Sequence, residues 1–191
     1  DFAATRAQFH LPEGMIYLDG NSLGPLPKTA AARVARTVTA EWGDMLITGW
    51  NKAGWMDMPM RVGDRIARLI GAEAGHVVMG DTLSIKVYQA LASALEMNPT
   101  RRVILSDTGN FPSDLYMAEG LCRTLGPAYT LKTVAPEDVW DQIDETVAVT
   151  LITEVDYRTG RKHDMKAITA RAHEKGARAV LVRDPEGRAL P

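Results

Sequence analysis

The sequence predicts an α/β fold, a mainly parallel sheet with flanking helices. Three observations carry that expectation. Short apolar runs alternate with helical patterns of roughly 10 to 15 residues. The run Val147-Ala148-Val149-Thr150-Leu151-Ile152 is uninterrupted and β-branched, as a strand buried on both faces requires. Gly80-Asp81-Thr82-Leu83-Ser84 turns a short apolar run directly into a helical pattern. At 191 residues, 46% hydrophobic and 24% charged, the chain suits one globular domain with a sizeable core and a small extension at most. Its net charge of −2 comes from interspersed acids and bases, which argues against a nucleic-acid partner. No apolar run approaches the roughly 20 residues that span a membrane. The N-terminus, Asp1-Phe2-Ala3-Ala4-Thr5-Arg6, lacks the charged-then-apolar pattern of a signal peptide. The lone Cys122 excludes an intrachain disulfide and suits a reducing cytoplasm. His10, His76, His163 and His173 show no ligand spacing, so no metal site is expected.

Taken in order, residues 1–14 read as a helix end and loop, and Met15-Ile16-Tyr17-Leu18 as a strand. Gly20-Asn21-Ser22-Leu23-Gly24-Pro25 then turns sharply. Pro27 and Thr29 open a helix with Val34, Val38, Trp42 and Met45 on one face. A loop carrying Trp50 and Trp55 breaks it; such tryptophans either pack as wedges or wall an aromatic ligand. A second helix shows Val62, Ile66, Leu69 and Ile70. His76-Val77-Val78-Met79 reads as a buried strand, and the next helix carries Leu83, Val87, Leu91 and Leu95. Arg102 to Ser106 is a strand, followed by a loop and a helix with Leu115, Ala118, Cys122 and Leu125. Residues 128–134 form a strand, 136–145 a short helix, and 147–152 the buried strand. Asp164 caps a helix through Lys175, Gly176 ends it, and Ala179 to Val182 is the last strand.

Ligands of such sheets bind beyond the C-terminal strand ends. Three candidate groups fall there. Asp81-Thr82-Leu83-Ser84 either caps its own helix or offers free N–H groups and a hydroxyl to a phosphate. In Phe111-Pro112-Ser113-Asp114, Ser113 is either an ordinary N-cap or part of a ligand site with Phe111 and Asp114. Thr153 ends the buried strand, as a cap or as a hydroxyl facing a ligand.

The run Leu18-Asp19-Gly20-Asn21-Ser22-Leu23-Gly24-Pro25-Leu26-Pro27 resembles the one that opens kynureninases, pyridoxal 5'-phosphate (PLP) enzymes of the aspartate-aminotransferase fold type. Gly109-Asn110-Phe111-Pro112-Ser113-Asp114 resembles that family's cofactor-stacking segment, in the same order and at about the same spacing. The resemblance implies part of the large domain of a PLP-dependent transferase fold, with residues 1–28 a lead-in and loop and 29–191 a partial PLP-binding domain. It places Leu83 and Ser84 at the PLP phosphate, and Phe111 on the pyridine ring with Pro112, Ser113 and Asp114 beside it. Thr153 falls near the ring, and Asn21, Ser22 and Trp50 on the substrate. It implies hydrolysis of L-kynurenine or 3-hydroxykynurenine to anthranilate or 3-hydroxyanthranilate and L-alanine, in a cytoplasmic homodimer.

PLP chemistry also needs a Schiff-base lysine and an acid for the pyridine nitrogen. None of Lys28, Lys52, Lys86, Lys132, Lys162, Lys166 and Lys175 stands in a context like the family's, so no catalytic residue is identified. Val182 falls where the family has its aspartate. Asp184 is two residues late, on the same face of an extended strand. A non-catalytic kynureninase-like chain, or another PLP enzyme such as a cysteine desulfurase or aminotransferase, are the alternatives.

Overall fold

In the computed structural model, which describes residues 2–20 and 22–182, the chain divides at Met79–Gly80 into two units. The first opens with helix α1 (Phe2–Arg6) and a two-residue antiparallel pair, β1 (Phe9–His10) with β2 (Leu26–Pro27). The strand expected at 15–18 does not form. Ile16 and Leu18 are both exposed, and no neighbouring backbone among the described residues supplies a ladder; the flanking residues take the pairing instead.

The helical pattern after Pro27 becomes α2 (Ala30–Arg36), which runs on into a π-helical stretch at Thr37–Asp44. A 3₁₀ turn at Leu46–Thr48 leads into α3 (Gly49–Lys52). The predicted apolar face is not core within this unit, because Val34, Val38 and Trp42 are exposed and Glu41 is the buried residue. In α4 (Met58–Ile70) the contact is likewise made by small residues, Gly63 and Ala67, whereas Leu69 and Ile70 are exposed. A Cβ at Gly63 would lie 1.9 Å from the Val77 carbonyl oxygen, far inside van der Waals contact. That close approach replaces the strand expected at 76–79; Met79 N–H instead donates to the Pro59 carbonyl at 3.1 Å.

The second unit follows the predicted alternation. Its elements are α5 (Leu83–Glu96), β3 (Val103–Asp107), α6 (Pro112–Leu125), β4 (Thr130–Val134), β5 (Val147–Thr153), α7 (Met165–Glu174) and β6 (Arg178–Val182). The strands form a four-stranded parallel sheet in the order β4-β3-β5-β6. Central β5 is buried through Ile152, as its uninterrupted β-branched run requires. On one face Val87, Leu91 and Leu95 of α5 join Ala118, Leu121 and Cys122 of α6 against Ile104, Val149 and Leu151. On the other, Leu105, Val147 and Ile152 meet Ile168 and Ala172 of α7 with Val139 and Ile143. Burying each such large aliphatic side chain stabilises the fold by about 1.5–3 kcal/mol. The helix expected at 136–145 is only a 3₁₀ turn, Pro136–Asp138, and then turns. Val139 and Ile143 are buried all the same, so burial survives without helical hydrogen bonding.

Polar clamps fix the direction of α5. Asn98, just beyond its C-terminus, donates to the carbonyls of Ala148 (3.4 Å) and Gly176 (3.0 Å). Arg101 donates to Val147 (3.0 Å) and Lys175 (2.6 Å). These acceptors lie at or before the starts of β5 and β6. A helix of 14 residues is about 21 Å long, so α5 runs the length of the sheet. Its N-terminus stands at the carboxyl edge of the strands.

Candidate functional site

The carboxyl edge of the second unit gathers the ends of β3 and β5 and the starts of α5 and α6. At α5 the N-cap is Thr82, in extended conformation and with no side-chain capping bond. The first-turn amides are therefore not occupied by a side chain of their own helix, the state an anion needs. Leu83 is exposed and Ser84 half-buried there.

At α6 the N-cap is Phe111, and Pro112 occupies the first turn, where its missing N–H costs nothing. Ser113 is thus not the N-cap. It lies inside the first turn, its hydroxyl donating to Asp114 Oδ1 at 3.4 Å. The Phe111 ring is half-exposed and packs against Tyr157, centroids 5.0 Å apart and planes tilted by 59°. Asp114 is buried, and its Oδ2 has no hydrogen-bond partner among the described residues. Burial pushes its carboxyl above the usual range, with the Ser113 hydroxyl opposing weakly.

Between these starts sits a buried amide. Asn110 Nδ2 donates to Ser106 Oγ (2.9 Å) and the Leu151 carbonyl (3.1 Å). Its Oδ1 accepts the Phe111 N–H (2.7 Å) and the Thr153 hydroxyl (2.5 Å). One side chain thereby ties β3, β5 and the start of α6 together. Beside it Asp107, the last residue of β3, pairs with His163 Nε2 at 3.0 Å and accepts the Gly109 N–H at 2.7 Å. These residues line a small cleft with Pro136, Thr153, Asp156 and Arg161.

Tyr157 is delivered by a hairpin-like turn. Val155 bridges Lys162, Asp156 N–H donates to the Arg161 carbonyl at 2.8 Å, and Lys162 pairs with Glu154 at 3.1 Å. The Arg158 backbone N–H, donated to the Asp156 carboxylate, holds that carboxyl below its ordinary value.

In the first unit, Ser22 donates to Asp19 Oδ1 at 2.6 Å. Trp50 is half-exposed and stands edge-on to Trp55, centroids 6.0 Å apart and planes at 81°. Trp55 in turn donates its indole N–H to buried Glu41 (3.0 Å), which Arg33 also pairs at 2.9 Å. With Val38, Trp42, Leu46 and Ile47, the two tryptophans line an apolar groove of about 410 Å³. Asn21 and Asp184 lie outside the described residues, and Val182 ends β6 as a buried apolar residue. No group of metal-ligating side chains occurs among the described residues.

Curated kynureninases match nearly the whole chain. That of Pseudomonas fluorescens is 51% identical over 183 residues, 93% of this chain. That of Burkholderia pseudomallei (strain 1106a) is 49% identical over 180 residues, 92% of this chain. Over most of its length this chain is kynureninase-like. It spans 44% and 43% of those two relatives. No protein-family model matches.

Among solved structures, a C-DES mutant with glycine covalently linked to its PLP cofactor superposes with a TM-score of 0.69. Identity is 14%, over 96% of this chain and 50% of that one. Glycine decarboxylase (P-protein) gives 0.67 at 22% identity, over 96% and 41%. The cysteine desulfurase of Thermococcus onnurineus NA1 gives 0.67 at 17% identity, over 94% and 46%. These likenesses carry the fold alone: the kynureninase-like chain shares the α/β architecture of those three structures.

Sequence reasoning missed Asp107, His163 and Tyr157. Each is unremarkable in its own segment, and only the parallel sheet brings the end of β3 beside the turn after β5. The signal that existed was Asn110, already inside the matched run but silent about its four bonds.

Proposed function

We propose that this kynureninase-like chain binds PLP at the carboxyl edge of its sheet and forms part of an enzyme that hydrolyses L-kynurenine or 3-hydroxykynurenine. The products are anthranilate or 3-hydroxyanthranilate and L-alanine. The observation that carries the reading is Asp114 Oδ2, a buried carboxylate oxygen without a partner among the described residues, in the first turn of the helix that presents the half-exposed Phe111 ring. A protonated pyridine nitrogen supplies the missing donor, and an aromatic ring placed against Phe111 gains of order 1 kcal/mol beyond burial. The residues therefore fit the group.

In this reading the first-turn amides at Leu83 and Ser84 hold the phosphate through the helix dipole. Phe111, flanked by Pro112 and Ser113, fixes the plane of the ring. Asp114 keeps the ring nitrogen protonated, and Thr153 meets the ring's polar edge. Asn21, Ser22 and Trp50 serve the substrate, Trp50 at its aromatic end. PLP, when bound, supplies an electron sink for the bond-breaking step; the chain's own share is binding and orientation. No lysine of the chain is assigned as the Schiff base. The rest of the proposal is a cytoplasmic homodimer acting in tryptophan catabolism toward NAD biosynthesis, with residues 29–191 as a partial PLP-binding domain.

Equilibrium dialysis of the 20.9 kDa chain with PLP, followed by borohydride reduction and intact-mass measurement, tests this. The expected result is retained PLP with no reduced covalent adduct. Absence of binding, or binding untouched by Asp114→Asn, would overturn the site.

A further inference from the structure

Among the described residues of the first unit, Glu41 is the only buried polar side chain. It lies in the π-helical stretch Thr37–Asp44, and such turns are rare and frequent at functional sites. Arg33, eight residues earlier, meets it with both arms of its fork. Nη1 stands 2.9 Å from Oε1, and Nη2 donates to Oε2 at 3.3 Å. The Trp55 indole N–H donates to the same Oε2 at 3.0 Å. A buried ion pair adds little stability over an apolar replacement. What this one supplies is direction, because an indole has a single polar atom and here that atom is pinned. The far edge of the Trp55 ring is pinned too. It lies against Gly49, where a Cβ would stand 3.2 and 3.3 Å from Trp55 Cη2 and Cζ3 and 2.8 Å from the Glu41 carbonyl oxygen. Held at both edges, Trp55 meets Trp50 at 6.0 Å with the planes at 81°. The backbone closes the same loop, since the Met56 N–H donates to the Trp50 carbonyl at 3.1 Å. Among the described residues no side-chain hydrogen bond holds Trp50, so packing sets its plane, and Trp55 is the ring it meets.

We propose that Glu41 is a positioning residue: through Trp55 it fixes the plane of Trp50, and so makes Trp50 select a flat aryl group over a saturated ring of the same size. Contacts between aromatic rings depend on the angle and offset of their planes, whereas burial of a saturated ring is non-directional. A Trp50 free to turn would still bury apolar surface, but it would lose the preference for an aryl partner. The selectivity rests on the proposed role of Trp50 at the aromatic end of the substrate; the linkage from Glu41 through Trp55 to Trp50 does not.

Two measurements on the 191-residue chain test this. The first is NMR of the Trp50 indole N–H, assigned by its loss in Trp50→Phe. Its resonance should keep its native position in Glu41→Gln, whose amide oxygen still accepts from Trp55, and move in Glu41→Leu, which offers no acceptor. The same signal in the native chain and the leucine variant would overturn the linkage. The second is the ratio of affinities for anthranilate and cyclohexanecarboxylate, read by equilibrium dialysis. Glu41→Leu should lower that ratio about three- to tenfold, the loss of one ring contact, chiefly by weakening anthranilate. Glu41→Gln should restore the native ratio. A residue that only supported the fold would weaken both acids alike, so an unchanged ratio in Glu41→Leu refutes the positioning role. Trp55→Phe removes the N–H and keeps a ring. It should move the Trp50 signal and lower the ratio as the leucine variant does, and it decides both measurements if Glu41→Leu does not fold; native values there would equally refute the inference. A native chain that binds neither acid, or both equally, would overturn Trp50 as the aromatic wall and the selectivity with it. The NMR measurement would still decide the linkage.

Discussion

Replacing Asp114 by asparagine should make the cofactor-free chain more stable at neutral pH while weakening its response to PLP. The carboxyl is buried; among the described residues its Oδ2 lacks a partner and its Oδ1 has only a 3.4 Å bond from Ser113. Desolvation therefore raises its folded-state pKa. With the folded value above the unfolded one, the folded state binds the proton more tightly. The associated stability is full below the unfolded value and is lost as pH rises through the elevated folded value. An unpaired buried group costs more when charged than when neutral. Asparagine removes the charge but not the missing partner, so the gain is of order 1 kcal/mol, or about 2–4 °C in Tm for a chain of this length. Calorimetry of Asp114→Asn should show that gain at neutral pH and little of it below the unfolded carboxylate value, where the carboxyl is neutral in both states. Saturating PLP should reverse the order. At one hundred times Kd a ligand adds about 2.7 kcal/mol to the native chain, and asparagine cannot hold a pyridinium by charge. A variant less stable than native at pH 7 without PLP, or stabilised by PLP as strongly as native, would refute this account of Asp114.

Phe111→Leu should weaken PLP binding about fivefold, the equivalent of 1 kcal/mol of ring contact, as measured by dialysis; unchanged affinity would remove Phe111 from the site. Glu41 is held ionised below its ordinary range, first by the Trp55 N–H and then by Arg33. Its contribution is present above the unfolded carboxylate value and lost as pH falls through the lower folded one. Acidification should therefore loosen the first unit and shift the Trp55 emission, and Glu41→Gln should flatten that pH response. Gly63→Ala places a methyl against the Val77 carbonyl. It should cost about 1–3 kcal/mol by overpacking, read by denaturant titration.

The sequence by itself determined the strand–helix alternation of the second unit, apart from the helix expected at 136–145. Val147 to Ile152 had to be a central strand, because six consecutive apolar or β-branched residues cannot face water on either side of a sheet. Asp164 and Gly176 marked the ends of α7 by local chemistry alone: a carboxylate that accepts the Ala167 N–H at 2.9 Å, and a glycine at φ 73°. The positions of Phe111 and Thr153 just beyond strand ends, where such sheets bind ligands, were legible from the pattern alone. Tertiary structure decided the rest. The apolar runs at 15–18 and 76–79 are not strands, because a strand exists only where another backbone completes its ladder. Which residue caps α6, which oxygen of Asp114 stands unpaired, and which way the proton of Thr153 points all depend on atoms brought together from β3, β5 and α6. No pattern along the chain encodes those distances, since they arise when the parallel sheet sets the ends of separate segments side by side.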